Sequence, residues 1–386
     1  MKETVLILGA DGYIGWNLMM YLGRKNQGLV VGIDNYSRRK LVNKVKGDSL
    51  IPIASMKTRI EAYKEVFKKN NLRFFAFDIT NSHLLRKAIK KIRPTIIINL
   101  AQMPSAPYSM KNLGYAAWTI KNNVIGNLNL LWIMREICPK AHLIKMGTMG
   151  EYGTPNVDIP KGFFELKYKG RKDWVPFPRQ AGSFYHWAKV TESQHTNFAC
   201  KIWGLRATDM MQGVVYGVTT EESQKDSRLA GRFDYDGVFG TAINRFVVQS
   251  MCGIPMTPFG KGGQIRGFLN IKDSLKCFEL YINNPPKEGE YRVFNQLVEQ
   301  HRTVTQLADM VKQIGKKKGY NSSIKKIKNP RIENEKHYYN AETTKLTKLG
   351  LIASDFRKEI EKMFDDLKPY IHRVNKESII PKITWK

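Results

Sequence analysis

Tyr185 and Lys189 stand four residues apart, a spacing that places a phenol and an ammonium group on one face of a helix. A tyrosine at its ordinary pKa of about 10 is a poor base at neutral pH, but a neighbouring cation favours the phenolate. Thr148 follows a predicted strand and could share a substrate hydroxyl with Tyr185. These three residues predict that Tyr185 removes a hydroxyl proton while a hydride leaves the same carbon for a nicotinamide cofactor. Lys189 would hold the ribose of that cofactor.

A glycine-rich turn, Gly9 to Gly15, follows a short apolar segment and precedes a helical pattern. Its glycines permit a tight turn, close approach of a pyrophosphate and close helix packing. Asp34 ends the next apolar segment, nineteen residues after Gly15, where it could accept hydrogen bonds from the adenosine ribose. An acidic residue there disfavours a 2′-phosphate, so the turn predicts NAD rather than NADP. A structural turn without cofactor is the alternative.

The elements that must position these residues alternate between buried strands and helices. The predicted strands are residues 5–8, 29–33, 74–77, 95–100 and 142–146. This alternation predicts an α/β fold, a Rossmann-type doubly wound parallel sheet with a smaller C-terminal substrate lobe. We expect residues 1–212 to form the cofactor-binding domain, with residues 241–283 packed back on it. The substrate lobe would comprise residues 213–240 and 284–386.

The composition sets further limits on function. With 386 residues and 42% hydrophobic content, the chain can bury a sizeable core, and the absence of any apolar run of about 18 residues argues against membrane insertion. The formal charge of +29 would attract anions, yet the lysines are spread along the chain without interleaved aromatics, so we expect no nucleic-acid partner. Four scattered cysteines lack metal-ligand spacing, which predicts a cytoplasmic protein without a metal site.

Together, the turn, the acidic residue, the threonine and the Tyr-x-x-x-Lys pair resemble the extended short-chain dehydrogenase/reductase superfamily. The wider first gap between the glycines of the turn matches a variant found there. Longer strings narrow the match. They are Ser105–Met110, Gly147–Pro155, Ser183–His186, Gly260–Gly267 and His337–Asn340. These strings look like the UDP-sulfoquinovose synthase family, and the resemblance runs from about residue 3 to residue 385.

The resemblance implies that bound NAD oxidises C4 of UDP-glucose, that water leaves across C5 and C6, and that sulfite adds at C6 before the hydride returns. It also implies a homodimer. The implied catalytic residues are Thr148, Tyr185 and Lys189. The implied cofactor-binding residues are Gly9, Asp11, Gly12, Tyr13, Ile14, Gly15, Asp34, Asn35, Arg38, Asp78, Ile79, Leu100, Ala101, Asn123 and Lys189. The implied substrate-binding residues are Gln102, Ser105, Tyr108, Thr148, Met149, Gly150, Gln212, Gln264, Arg266 and Arg331.

Three local features bear on the chemistry. Met149 and Gly150 follow Thr148, where nucleotide-sugar 4,6-dehydratases carry an Asp-Glu pair, so an ordinary dehydratase is disfavoured. Pro104 replaces an arginine that the family carries, which removes a cation that could contact sulfite. His186 points roughly 100° away from Tyr185 on the helix, so we expect a structural role for it.

The alternatives therefore stay open. They are a nucleotide-sugar 4-epimerase or 4,6-dehydratase that needs no sulfite, a diverged enzyme that uses another nucleophile, and a non-catalytic NAD-binding or nucleic-acid-binding protein. The last is motivated only by the +29 charge. Asp78 has an alternative of its own, because it could cap the helix that begins near Asn81 instead of contacting the adenine.

Overall fold

The computed structural model describes residues 3–25, 28–298, 302–330 and 338–382. Within them, eleven strands occur. They are β1 (Val5–Leu8), β2 (Val30–Asp34), β3 (Leu72–Ala76), β4 (Ile96–Asn99), β5 (His142–Thr148), β6 (Phe163–Tyr168), β7 (Arg171–Pro176), β8 (Arg206–Gln212), β9 (Val214–Tyr216), β10 (Phe268–Asn270) and β11 (Tyr291–Gln296). Seven of these strands form a central parallel sheet in the order β11-β8-β5-β4-β1-β2-β3.

Thirteen α-helices lie in the same described ranges. They are α1 (Tyr13–Lys25), α2 (Ser37–Lys44), α3 (Met56–Phe67), α4 (Ser82–Ile92), α5 (Ala106–Ser109), α6 (Leu113–Ile120), α7 (Gly126–Ile137), α8 (Phe184–Trp203), α9 (Ala242–Met251), α10 (Ile271–Asn283), α11 (Val304–Lys317), α12 (Thr344–Lys348) and α13 (Phe356–Leu367). A π-helical turn, Lys121–Ile125, joins α6 to α7, and a 3-10 turn, Met149–Glu151, follows β5. No described helix is both long and apolar enough to cross a membrane.

The central sheet carries helices on both faces, which confirms the predicted doubly wound α/β fold. Along β1, Val5 and Ile7 face a core shared with α1 and α10, while Leu6 and Leu8 face a core shared with α4 and α7. The chain runs outward from β1 through β2 to β3 and then returns to β4 on the other side of β1. This reversal opens a crevice at the carboxyl ends of β1 and β4, where ligands bind in such sheets.

Two parts of the predicted lobe division differ from the structure. We predicted β11 in the substrate lobe, but it pairs with β8 at the edge of the central sheet, where its last four residues are buried. We also predicted that residues 241–283 pack back on the sheet. Only α10 does so, whereas α9 packs with α11 and α13 in a second apolar core. Leu50 and Ile51, from the segment between α2 and α3, join that second core.

Candidate active site

The glycine-rich turn lies in the crevice, directly against the segment that follows β4. Gly9 has a φ of +87°, and a Cβ atom there would lie 2.6 Å from the carbonyl carbon of Leu100. A Cβ atom on Gly15 would lie 2.1 Å from the Gly9 carbonyl oxygen. The positive end of the α1 dipole faces the turn because the helix begins at Tyr13, and no acidic residue in its first turn offsets that potential. The turn therefore offers a cradle that fits a pyrophosphate.

Asp34, Asn35 and Asp78 meet at the ends of β2 and β3. The two oxygens of Asp34 accept hydrogen bonds from the backbone N–H groups of Asp11, at 2.9 Å, and Tyr36, at 2.7 Å. Burial and the neighbouring Asp11 carboxylate raise the pKa of Asp34 to about 6. Asn35 donates to Asp78 at 2.8 Å. The structure thus brings together three of the predicted cofactor-binding residues.

Asp78 does not cap α4, which was the alternative role that its sequence position allowed. The N-cap of α4 is Asn81, whose side chain accepts from the Leu84 N–H at 3.1 Å. Asp78 instead accepts from Thr80 at 2.8 Å and from Asn35. Ile79, beside it, is buried against Gly126 at the start of α7.

Two predicted cofactor-binding residues, Asp11 and Arg38, use their side chains for contacts with other residues of the protein. The buried Asp11 carboxylate receives Arg39 at 2.6 Å and Arg59 at 3.0 Å, so its side chain is occupied by arginines. Arg38 donates to Asp234 at 2.8 Å and lies 3.9 Å from the centroid of the Phe239 ring. These contacts tie the turn and α2 to residues 234–239. Another link comes from Tyr13, whose hydroxyl donates to the Gly217 carbonyl at 2.6 Å.

Asn123 is hydrogen-bonded to the loop that follows β4. It lies in the π-helical turn, and its side-chain oxygen accepts from the Met103 N–H at 2.7 Å. Single π-helical turns occur frequently at functional sites because they redirect a side chain out of the regular helix pattern. Here the turn lets a fully buried asparagine fix Met103, directly after the segment that contains Leu100, Ala101 and Gln102.

Two of the predicted catalytic residues, Thr148 and Lys189, meet at the end of β5. Lys189 donates to the Met146 carbonyl at 2.7 Å, two residues before Thr148 on the same strand. The Thr148 hydroxyl caps the 3-10 turn by accepting from the Gly150 N–H at 3.2 Å. Tyr185 lies in the first turn of α8, and its N–H donates to the Ser109 hydroxyl at 3.1 Å.

His186 also lies against the turn that follows β5, although its sequence position suggested a structural role. Ser183 and the His186 Nδ1 lie 2.9 Å apart, which fixes the ring. A Cβ atom on Gly150 would lie 2.3 Å from the His186 Nε2. The bare glycine therefore lets the imidazole pack on the turn that begins at Thr148. This close approach was not visible in the sequence, since it depends on how α8 meets β5.

The electrostatics of the site reflect its burial. Loss of solvent raises the pKa of Tyr185 well above its ordinary value and lowers that of Lys189 to about 8. Without ligands the phenol is therefore protonated at neutral pH. Positive charge beside the phenol would be needed to offset the burial and favour the phenolate.

Sequence reasoning missed a buried charge cluster beneath these residues. Glu151 follows Thr148 by three positions, and Glu192 follows Lys189 by three, spacings that could have indicated it. The remaining members are Lys145, Arg179, Ser193 and Asp209. Lys145 lies 3.2 Å from Asp209, and Arg179 lies 2.9 Å from Glu151. The cluster fixes the strand ends that carry the catalytic groups.

Several predicted substrate-binding residues have buried polar atoms that form no hydrogen bond with the described part of the chain. Within the described residues, Gln102, Gln212 and Gln264 each carry a buried side-chain oxygen without a hydrogen bond. Thr241 and Asn244, which sequence reasoning missed, do so as well. Buried polar groups are normally paired, so such atoms fit a polar ligand that is not part of the chain.

The other predicted substrate residues are placed as follows. Ser105 donates to the Val238 carbonyl at 2.6 Å, and the Tyr108 ring lies 5.7 Å from that of Phe239. Met149 is buried in a small apolar core. Arg266 lies near Tyr339 and lowers the pKa of that phenol, although burial raises it more. Arg331 lies outside the described residues.

Comparison with known proteins agrees with this geometry. Residues 5–295 match the model of the NAD dependent epimerase/dehydratase family. The chain is 45% identical to the chloroplastic UDP-sulfoquinovose synthase of Spinacia oleracea, over 100% of this chain and 80% of the relative. It is 40% identical to the UDP-sulfoquinovose synthase of Sulfolobus acidocaldarius, over 99% and 97%.

Among solved structures, a UDP-glucose 4-epimerase from Thermotoga maritima with UDP-glucose has a TM-score of 0.71. That similarity covers 95% of this chain and 99% of the other at 20% identity, which bears on the fold alone. The family model and the two full-length relatives bear on descent. The chain belongs to the NAD dependent epimerase/dehydratase family, and two relatives that match it over its whole length are UDP-sulfoquinovose synthases.

Proposed function

We propose that the chain converts UDP-glucose and sulfite to UDP-sulfoquinovose with NAD as a tightly held cofactor. The observation that carries the proposal is the convergence of Lys189, Thr148 and the first turn of α8 on the end of β5. The two relatives, at 45% and 40% identity over the whole chain, support the choice of reaction.

NAD fits the crevice. Gly9 and Gly15 leave room for its pyrophosphate at the end of α1, Asp34 offers carboxylate oxygens to the adenosine ribose, and Lys189 can hold the nicotinamide ribose. When bound, NAD supplies a hydride acceptor that returns the hydride within the same cycle. Because the cofactor is not consumed, we expect the protein to purify with nucleotide attached.

The side chains divide the proton transfers. Tyr185 takes the proton of the C4 hydroxyl as the C4–H bond gives up its hydride, and the Thr148 hydroxyl orients the same oxygen. The C4 ketone acidifies the C5 hydrogen. Loss of that proton and of the C6 hydroxyl, as water, leaves a C5–C6 double bond conjugated to the ketone. The sulfur of sulfite then forms a bond to C6, and C5 regains a proton. The hydride returns to C4 and reduces the ketone, while Tyr185 gives its proton back to the C4 oxygen.

His186 is our choice for the proton at C5 or C6. Its imidazole packs on Gly150, at the positions where 4,6-dehydratases carry their acidic pair. An imidazole can both take and give a proton, which suits either transfer. This placement revises the structural role that helix geometry alone suggested.

The departure at Pro104 is compatible with sulfite chemistry. Pro104 is exposed, so the side chain at this position lies at the protein surface. Replacing an arginine there leaves the buried polar residues of the crevice in place. The formal charge of +29 also favours approach of an anion such as sulfite.

Incubation with UDP-glucose, with and without sulfite, tests the proposal when followed by mass spectrometry of the nucleotide sugar. We expect a sulfonated product only when sulfite is present. UDP-galactose, or a dehydrated keto-sugar that forms regardless of sulfite, would point to an epimerase or a dehydratase. Absence of any product from UDP-glucose would contradict the enzymatic proposal.

Binding of NAD should weaken in acid because of Asp34. Its carboxylate, with a pKa of about 6, accepts ribose hydroxyls only while ionised. As the pH falls from 7 to 5, most of the carboxylate gains a proton, so the Kd for NAD should rise about tenfold. Calorimetry on protein stripped of nucleotide measures this. Asp34→Asn should bind weakly at both pH values, and a Kd of the parent that does not change with pH would contradict the assignment.

We also propose that the chain forms a homodimer through α6 and α8. These two helices pack against each other and carry six exposed apolar side chains, which we call the apolar patch. They are Leu113, Ile120, Phe184, Trp187, Phe198 and Ile202. Grouped exposed apolar side chains mark interaction sites, and a second copy can cover the patch about a two-fold axis. The four free cysteines support a reducing, cytoplasmic location.

Placing charge in this patch should separate the dimer. Phe198→Glu combined with Ile202→Glu puts two carboxylates into the seam, far from the catalytic turn of α8, so light scattering after gel filtration should report a monomer. Tyr168→Glu is the matched control, since Tyr168 is 68% exposed on the β6–β7 hairpin. A double variant with the mass of the parent, or a parent that is itself monomeric, would refute this interface.

A further inference from the structure

Glu192 has an environment that its role in the fold does not explain. It lies one turn after Lys189 on α8 and is fully buried. Among the described residues, neither of its carboxylate oxygens has a hydrogen-bond partner. One oxygen lies 3.7 Å from the Lys189 Nζ. A buried carboxylate without hydrogen bonds is costly unless an opposite charge compensates it.

The neighbouring charges are already matched to one another. The Lys145 ammonium lies 3.2 Å from Asp209, and the Arg179 guanidinium lies 2.9 Å from Glu151. Ser193 lies 2.8 Å from Glu151 and 2.7 Å from Asp209, which fixes both carboxylates. Two cations and two anions of the cluster thereby cancel. The charges left over are those of Lys189 and Glu192.

We propose that Glu192 is a positioning residue whose carboxylate serves as the buried counter-ion of Lys189 and keeps that lysine in its cationic form. The proposal rests on the proposed role of Lys189 at the nicotinamide ribose. Lys189 is itself 1% exposed, so solvent cannot compensate its charge. Without an anion in contact, a lysine in this position would lose its proton and could no longer act as a cation at the nicotinamide ribose.

The titration behaviour is consistent with such a pair. Burial raises the pKa of Glu192 to about 7 and lowers that of Lys189 to about 8. Below this range the carboxylate gains a proton, and above it the ammonium loses one. The groups that face Glu192 are Tyr185 and Lys189 on α8, Lys145 on β5, Glu151 on the 3-10 turn and Asp209 on β8. Of the two lysines, Lys145 is paired with Asp209, which leaves Lys189 for Glu192.

Glu192→Gln removes the charge while keeping the shape. Lys189 then loses its counter-ion, so its pKa should fall and the alkaline limb of the turnover profile should move to lower pH by roughly one unit. Glu192→Asp keeps a carboxylate and should leave the limb closer to that of the parent. Thr191→Val is the matched control on the same turn of α8, because the Thr191 hydroxyl donates to the Trp187 carbonyl in its own helix and to no other group in the described ranges. An unshifted limb in Glu192→Gln would overturn the proposal.

A second measurement needs no substrate and separates this proposal from the proposed reaction. Lys189→Met leaves the Glu192 carboxylate buried without a cation in contact, so the thermal midpoint at pH 8.5 should fall. Adding Glu192→Gln should restore at least half of that loss. The pairing is refuted if the double variant is no more stable than Lys189→Met. Rescue of stability in a protein that does not convert UDP-glucose would support the ion pair while the proposed function fails.

Discussion

Tyr185→Phe should lower turnover of UDP-glucose about a thousandfold while the fold and the bound nucleotide remain. Only the phenol oxygen changes, and general acid–base catalysis by one positioned group contributes about 10²–10⁴ in rate. The backbone contact between Tyr185 and the Ser109 hydroxyl survives the substitution. The phenylalanine ring can still pack beside His186, whose ring centroid lies 4.9 Å from that of Tyr185.

Mass spectrometry of the sulfonated product, together with the NAD content of the purified variant, measures the effect. Tyr168→Phe provides the control, since it removes the same oxygen from an exposed hairpin residue and should keep the activity of the parent. If Tyr185→Phe turned over within tenfold of the parent, Tyr185 would not be the base. Loss of NAD by this variant would instead indicate a structural role for the hydroxyl.

The parts of the site that the sequence predicted are those set by local pattern. β1, the glycine turn and α1 follow one another along the chain, and Asp34 ends the neighbouring strand, so their meeting follows from the parallel sheet. Thr148 and the Tyr-x-x-x-Lys helix could be placed for the same reason. Their roles stay predictions, while the fold that positions them is confirmed.

The parts that it missed depend on contacts between distant segments. Charged residues are usually exposed, so nothing in the sequence marked Lys145 or Asp209, 64 residues apart, as a buried pair. Asp11 was predicted for the cofactor because of its place in the turn, but Arg59 reaches it from α3. β11 begins 79 residues after β8 ends, and only its partner across the sheet shows that it belongs there.

Gly15→Ala should have the second large effect, on stability and cofactor retention together. The added methyl carbon would lie 2.1 Å from the Gly9 oxygen and 2.9 Å from the Ala10 Cα, both backbone atoms that cannot rotate away. The start of α1 must therefore move off β1. Overpacking of this kind costs roughly 1–3 kcal/mol.

The same displacement opens the cradle in which the pyrophosphate would lie, so the two consequences of Gly15→Ala should appear together. Urea unfolding measures the lost stability, and the absorbance of nucleotide released from the purified protein measures retention. Gly182→Ala is the control, because a Cβ atom there meets nothing within 4 Å and its φ is not positive. If Gly15→Ala kept both the urea midpoint and the nucleotide content of the parent, the close packing of α1 on β1 would not be what seats NAD. Loss of stability with full nucleotide content would restrict Gly15 to the fold.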